Sequence, residues 1–247
     1  IVVLVVGLLT PTITTSESID GMKLVLFGLF CTGRDAAGAI SFGFNGVNIG
    51  NMLFRAMPLI MTGLSVAIAN QTGFLRDQLE KVIRLTDILR FFYDDTFLRQ
   101  SLALKGGTAI NMTCFSMPRL SVDIDLDYCR DVDRETMLKE REQITTSIHN
   151  YMQSNGYSLS PHTKHPHSLD SWVFDYVNAA GNHDVIKVEI NYSMRCHVLP
   201  IVEKEVCLEF ADPFFVMSLA PMELFGSKIK ALIERSACRD LYDVHNM

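Results

Sequence analysis

What this 247-residue sequence lacks narrows its class before any motif is read. Its six cysteines, Cys31, Cys114, Cys129, Cys196, Cys207 and Cys238, include no Cys-x-x-Cys pair. That pattern excludes a zinc-ribbon site and a disulfide framework and leaves reduced thiols. Positive charge is not in excess: 22 Lys and Arg face 28 Asp and Glu, a net charge of −6. A broad basic surface for coating nucleic acid is thereby excluded, although a local basic groove is not. No internal repeat or low-complexity tract is visible. Charge is scarcest at the start, where residues 1–73 carry only Glu17, Asp20, Lys23, Arg34, Asp35 and Arg55. The mean hydropathy of +0.18 comes largely from this segment.

Residues 1–73 read as an apolar helical segment. The chain opens on Ile1 in an apolar run, 1–9, with no basic residues ahead of it. A truncated membrane helix fits that pattern better than a signal peptide. Two further runs, 24–31 and 56–69, fall short of the roughly 20 residues that span a bilayer. The stretch 51–73, with Pro58-Leu59-Ile60-Met61-Thr62-Gly63-Leu64 at its centre, resembles an early membrane segment of sugar- or nucleoside-type ABC transporter permeases. In such permeases further membrane helices follow Thr72-Gly73; here a charged pattern begins. One or two helices cannot form a translocation path. Residues 1–73 therefore read as a permease-like remnant, a fusion segment or a sequence-assembly error, the alternative being a genuine apolar anchor that contacts a membrane.

Residues 74–247 read as a separate, soluble domain. Between 75 and 102 the apolar positions Leu75, Leu79, Val82, Ile83, Leu85, Ile88, Leu89 and Phe92 recur at helical spacing, which predicts one or two amphipathic helices. Gly106-Gly107-Thr108 breaks the pattern, and 109–115 predicts a short helix. The run 121–127 alternates apolar and acidic residues, the signature of a strand with one buried face. A charged helix is predicted over 134–152, strands over 172–177, 185–192 and 206–210, and helices over 221–235 and 239–247. Helices and strands in this order imply an α/β (α+β) domain with a mixed sheet and flanking helices.

The acidic strand carries the chemistry. Asp123, Asp125 and Asp127 project from one side, with successive members about 6.5–7 Å apart. Clustered carboxylates repel one another unless they are solvated, protonated or bound to a cation. Neighbouring ones can converge on a hard ion such as Mg²⁺. A solvated edge strand is the alternative. Just upstream, Gly106-Gly107 precedes the short helix, where free helix amides attract phosphate and glycine permits close backbone approach. Phosphate-gripping amides beside metal-gripping carboxylates suit phosphoryl or nucleotidyl transfer.

The segment 104–127, LKGGTAINMTCFSMPRLSVDIDLD, resembles the core of AbiEii-type nucleotidyltransferase toxins of the DNA polymerase β-like superfamily. The resemblance lies in Gly106, Gly107 and Thr108, then Arg119, Ser121, Asp123, Ile124 and Asp125. A second matching motif occupies 228–246, with Lys228, Arg235, Arg239, Asp240, Leu241 and Asp243 in place. Two separated motifs in the right order span about 75–247. The resemblance implies a nucleotidyltransferase-like mixed sheet in a domain 74–247, with family members commonly continuing beyond the point reached by Met247. It implies that Asp123 and Asp125 bind a divalent metal, Mg²⁺ or Mn²⁺, carrying an NTP. Glu189 is the best candidate for a third carboxylate, with an exposed strand residue as its alternative reading, and Asp127 stands outside the metal pair.

By the same resemblance Gly106, Gly107, Thr108 and Ser121 belong to the nucleotide site and Lys228 to the catalytic set. Lys228 and Arg235, seven apart, share a helix face that Arg239 extends if the helix continues. Such a stripe suits triphosphate or an RNA backbone; a solvated basic helix end is the alternative. Asp240 and Asp243 orient that face, or Asp240 caps a helix. His162, His165 and His167 read as an exposed loop, Cys196-His197 as packing and Trp172 as core. The implied activity is NMP transfer from an NTP to an acceptor, RNA or a tRNA end, by the toxin of a type IV toxin–antitoxin or phage-abortive system. A cognate antitoxin and a cytoplasmic location follow from the same resemblance. The competing readings are a nucleotide-binding module without turnover and a membrane transport component built on 1–73.

Overall fold

A computed structural model describes residues 75–115, 119–163, 167–193, 195–208 and 211–247. The expectations for residues 1–73 and for His165 lie outside the described residues. Helix α1 (Arg76–Asp94) and helix α2 (Thr96–Ser101) answer to the amphipathic pattern at 75–102. Leu79, Val82, Leu85, Ile88, Leu89 and Phe92 are buried, whereas Leu75 is exposed just ahead of the first turn. Asp95 separates the two helices. Its carboxylate accepts from the backbone N–H groups of Phe97 and Leu98, the free donors of the new helix.

Strand β1 (Leu102–Lys105) follows at once, where the sequence suggested the tail of a helix. Its four residues are too few for period-two alternation to register, and three of them are buried. Helix α3 (Gly106–Thr113) begins at the glycine pair itself, and strand β2 (Asp123–Tyr128) carries the acidic run. Helix α4 (Arg134–Ser154) opens on Asp133, which accepts from the N–H groups of Glu135 and Thr136. Strands β3 (Ser158–Leu159), β4 (Leu169–Val177), β5 (His183–Asn191), β6 (Val202–Leu208) and β7 (Ala211–Ser218) complete the sheet. Of these, β3 and β7 have no counterpart in the sequence reading. β7 holds Pro213 and two adjacent phenylalanines, which obscure its alternation. Helices α5 (Pro221–Arg235) and α6 (Cys238–His245) close the domain.

The seven strands run in the order β3-β4-β5-β2-β1-β7-β6. Neighbours β2 and β5 are parallel, as are β1 and β7, and the remaining pairs are antiparallel. The sheet is therefore mixed, as expected. β2 stands at its centre, so the solvated edge strand is not what the acidic run forms. One sheet face is apolar: Ile124, Leu126, Trp172, Phe174, Ile186, Val188 and Ile190 lie in a single buried cluster with Ile144, Ile148 and Met152 of α4. His149 of α4 meets Trp172 and Phe174 edge-on, which places α4 over that face. Trp172 is core, with no exposed surface. By the period of two, the opposite face receives Asp123, Asp125 and Asp127 from β2 and Lys187, Glu189 and Asn191 from β5.

Candidate active site

Register brings the acidic residues together. Asp125 lies opposite Glu189, and Asp123 opposite Lys187, across the parallel β2/β5 pair. On the other flank Asp125 pairs with Lys105, the last residue of β1. The three aspartates grade from exposed (Asp123) through half-buried (Asp125) to buried (Asp127). Asp127 is fully engaged: Lys105 Nζ lies 2.5 Å from its Oδ1, and the Asn191 amide donates to the same oxygen at 3.0 Å. Among the described residues Asp125 has no such partner, and its carboxyl is pushed up to about 6. Burial is the main cause, followed by repulsion from Glu189 and then Asp123; Lys105 and Lys187 pull weakly the other way.

That donor set fits a hard divalent cation, since carboxylate oxygens on adjacent strands are under-compensated without one. Among the described residues no three His, Cys, Asp or Glu side chains are already gathered as a metal cage. Glu189 is instead engaged by Lys187, whose Nζ sits 2.9 Å from Oε2.

The glycine turn abuts the carboxylates. Gly106 has φ +72°, a conformation open to glycine and strained for other residues. A Cβ placed there would collide with Asp125 Oδ2 and lie 3.1 Å from Asp125 Cβ and Cγ. At Gly107 a Cβ would stand 3.1 Å from both Arg119 Nη2 and Ser121 Oγ. The turn is thus wedged between a carboxylate on one side and a guanidinium on the other. Thr108 fastens it to β2: its hydroxyl donates to the Asp123 carbonyl at 2.5 Å and lies 3.0 Å from Ser121 Oγ.

The second motif behaves differently from a free basic stripe. Lys228 is buried and lies 3.0 Å from Asp240 Oδ1 and 3.1 Å from Asp243 Oδ2. Arg235 holds Asp240 through two nitrogens, at 2.5 and 2.9 Å. Arg119 holds Asp243 the same way, at 2.8 and 2.5 Å. Both aspartates are fully buried. The hydrogen bond from Arg235, opposed by burial and helped by Lys228, takes the Asp240 carboxyl down to about 2. Burial alone would raise Asp243, but Arg119 and Lys228 outweigh it and hold that carboxyl below its ordinary range. Arg235 is raised in turn by its hydrogen bonds to Asp240, and the charge of Asp125 adds to the effect.

Arg239 does not extend the face. Ser236 takes a left-handed conformation (φ 50°), the helix ends at Arg235, and Arg239 is exposed on α6. Nor does Asp240 cap a helix: Ala237 precedes α6 and supplies no side-chain cap.

Sequence reasoning gave no role to Arg119, Lys105 or Lys187. Register places Lys105 opposite Asp125 and Lys187 opposite Asp123, and tertiary packing brings Arg119 to Asp243. Cys196-His197 is not simple packing either. His197 stands between Cys129 Sγ (3.5 Å) and Glu223 Oε1 (3.0 Å). The Cys129 thiol is pushed up to about 12 by burial and by Asp127, so it is not a nucleophile at neutral pH. His162 and His167 lie exposed in turns flanking 164–166.

Residues 88–247 match the family model described as nucleotidyl transferase AbiEii toxin, type IV TA system. The chain belongs to the AbiEii family. Two solved structures resemble this AbiEii member at a distance. JHP933 from Helicobacter pylori is 19% identical, with a TM-score of 0.48 over 70% of this chain and 66% of its own. A candidate nucleotidyltransferase from H. pylori is also 19% identical, with a TM-score of 0.49 over 70% and 68%. The chain thus spans about two thirds of the length of either. No curated protein sequence matches it.

Proposed function

We propose that residues 74–247 of this AbiEii-family chain form a nucleotidyltransferase domain that transfers NMP from an NTP to a hydroxyl of an RNA acceptor, such as a tRNA end. One observation carries the reading: the Gly106 backbone lies against the Asp125 carboxylate while Glu189 stands in register beside it. The acceptor oxygen attacks the α-phosphorus, the bond to the bridging oxygen breaks, and pyrophosphate leaves with the electron pair. The start of α3, with Gly106 and Gly107, grips the departing phosphates. Asp123 and Asp125, with Glu189, would hold Mg²⁺ or Mn²⁺, which when bound neutralises phosphate charge and acidifies the attacking hydroxyl. Thr108 and Ser121 fix the turn against β2, and the buried Asp240 and Asp243 position Lys228, Arg235 and Arg119 as a preset cationic wall.

In-line displacement puts the nucleophile opposite the leaving group. With phosphates gripped on the β1/α3 flank, the acceptor approaches from the β5/β4 flank. An open groove of about 590 Å³ lies there, lined by Lys187, Glu189, Ser171, Val173 and His162. Its size suits a nucleotide. Family membership supports the physiological reading proposed here: a phage-defence toxin restrained by a cognate antitoxin and acting in the cytoplasm, where NTP and RNA are found. Among the described residues no helix is long and apolar enough to cross a membrane.

Incubation of the full chain with labelled NTPs and total RNA tests the reading. Label should enter RNA with Mg²⁺ or Mn²⁺ and vanish in Asp123→Ala and Asp125→Ala. Equal labelling in both variants would refute the site. A second reading, nucleotide binding without turnover, is favoured by the Lys187–Glu189 pair, which keeps the third carboxylate engaged. NTP binding with no labelled product under either ion would select it.

A further inference from the structure

Three carboxylates on adjacent central strands demand positive charge, and the local supply is short. Lys105 and Lys187 both lower the Asp125 carboxyl by their charge, and both lie beside it across the sheet, in register with Asp125 and Asp123. Lys105 is committed, 2.5 Å from the buried Asp127. Lys187 remains. It projects from the same face of β5 as Glu189, two residues away, and occupies the register position opposite Asp123. Its Nζ lies 2.9 Å from Glu189 Oε2. Its side chain retains 39% of its exposure, so it has room to move, and it also lines the open groove over β4.

We propose that Lys187 is the resident counter-ion of the carboxylate site, holding Glu189 while no divalent cation is bound and releasing it when one binds. This rests on the reading of Asp123, Asp125 and Glu189 as cation ligands. Lys187 and a divalent cation are then alternatives for one carboxylate, and a ligand that must displace an internal competitor binds more weakly by the competitor's share. The pair is partly exposed, so that share is modest. The freed ammonium stays at the mouth of the groove, where an acceptor phosphate would be its next partner.

The test is Mn²⁺ titration of the full chain by calorimetry, without nucleotide, on wild type, Lys187→Gln, Lys187→Arg and Asp123→Asn. Lys187→Gln should bind Mn²⁺ roughly twofold to fivefold tighter than wild type, and its metal-free form should melt lower. Lys187→Arg, which keeps the charge, should stay near wild type, and this separates charge from shape. Unchanged or weaker Mn²⁺ binding in Lys187→Gln, with binding still lost in Asp123→Asn, would overturn the inference and leave the proposed site standing. Binding in wild type that persists in Asp123→Asn, or no binding in wild type and Lys187→Gln alike, would overturn both.

Discussion

Replacing Asp125 by Asn should make the metal-free protein more stable at neutral pH, although it removes a residue assigned to the reaction. The Asp125 carboxyl is pushed up from its ordinary 3.8 to about 6 by burial and by Glu189 and Asp123. At 1.36 kcal/mol per pH unit, that displacement corresponds to about 3 kcal/mol of penalty on the charged form. Asp125 is only half-buried and water screens part of the repulsion, so about 1–2 kcal/mol is expected in practice. The sign follows from linkage. A carboxyl raised in the folded state contributes stability that is full below its unfolded value and lost as pH rises through about 6. Urea unfolding in EDTA between about pH 4 and pH 7 should therefore show wild type losing stability across that range. Asp125→Asn should lack this slope and should exceed wild type at pH 7. Saturating Mn²⁺ should reverse the order, because only wild type gains binding energy. A variant less stable than wild type at pH 7 in EDTA, or one with an undiminished slope, would refute the electrostatic account of the site.

The glycine turn offers a paired test. Gly106→Ala forces a left-handed backbone on an L-residue and drives its Cβ into Asp125, at a cost of about 1–3 kcal/mol in urea unfolding and a loss of NTP labelling of about 10²-fold. Gly107→Ala meets only the ends of Arg119 and Ser121 and gains helix propensity, so its stability should stay within about 1 kcal/mol of wild type; equal damage from both variants would contradict the wedge. Asp240→Asn strands the buried Lys228 beside Asp243 alone and should cost about 2–4 kcal/mol in the same assay. The Asp240 carboxyl is depressed to about 2, so its stabilisation is present above about 3.8 and fades as pH falls towards about 2. Acid unfolding of Asp240→Asn should accordingly lose that slope.

The elements that spoke plainly in the sequence were long and regular. Helices α1 and α4 and strands β4 and β5 were legible from their periods because each buries one face against a single core. β1 was not, since four residues carry no period, and β7 was hidden by its own composition. At the site, Asp123, Asp125, Gly106 and Gly107 stand close in the chain and in known-family motifs, so their meeting was foreseeable. Arg119 and Asp243 are 124 residues apart, and no local pattern links them. The basic stripe was legible only in outline for a related reason: spacing on a helix reports which side chains share a face, but not how closely the acidic residues expected to orient that face are paired with it. Buried Asp240 and Asp243 cover this one. The turn at Ser236 then removes Arg239 from it, although nothing in the local sequence marks a left-handed serine.

The two charged clusters are unbalanced in opposite senses, and the glycine turn lies where they meet. On the β2/β5 side, Asp123, Asp125 and Glu189 share one ammonium, Lys187, which is paired with Glu189, while Lys105 is paired with Asp127. On the α5/α6 side, Asp240 and Asp243 face three cations: Arg119, Lys228 and Arg235. The first cluster has a deficit of positive charge and the second a surplus. The turn borders both clusters, with Gly106 against Asp125 and Gly107 against Arg119. The Asp125 charge nevertheless adds to the raised pKa of Arg235, so the two clusters act on each other. A simple anion would satisfy the second cluster and worsen the first; a lone cation would do the reverse. On the proposed reading, a polyphosphate carrying its own divalent cation would match both at once, Asp123, Asp125 and Glu189 holding the cation and the turn and guanidinium groups meeting the phosphates. Stabilising the empty site by removing Asp125, as predicted above, would destroy one half of that complementarity, which is why a less stable arrangement is the one suited to nucleotidyl transfer.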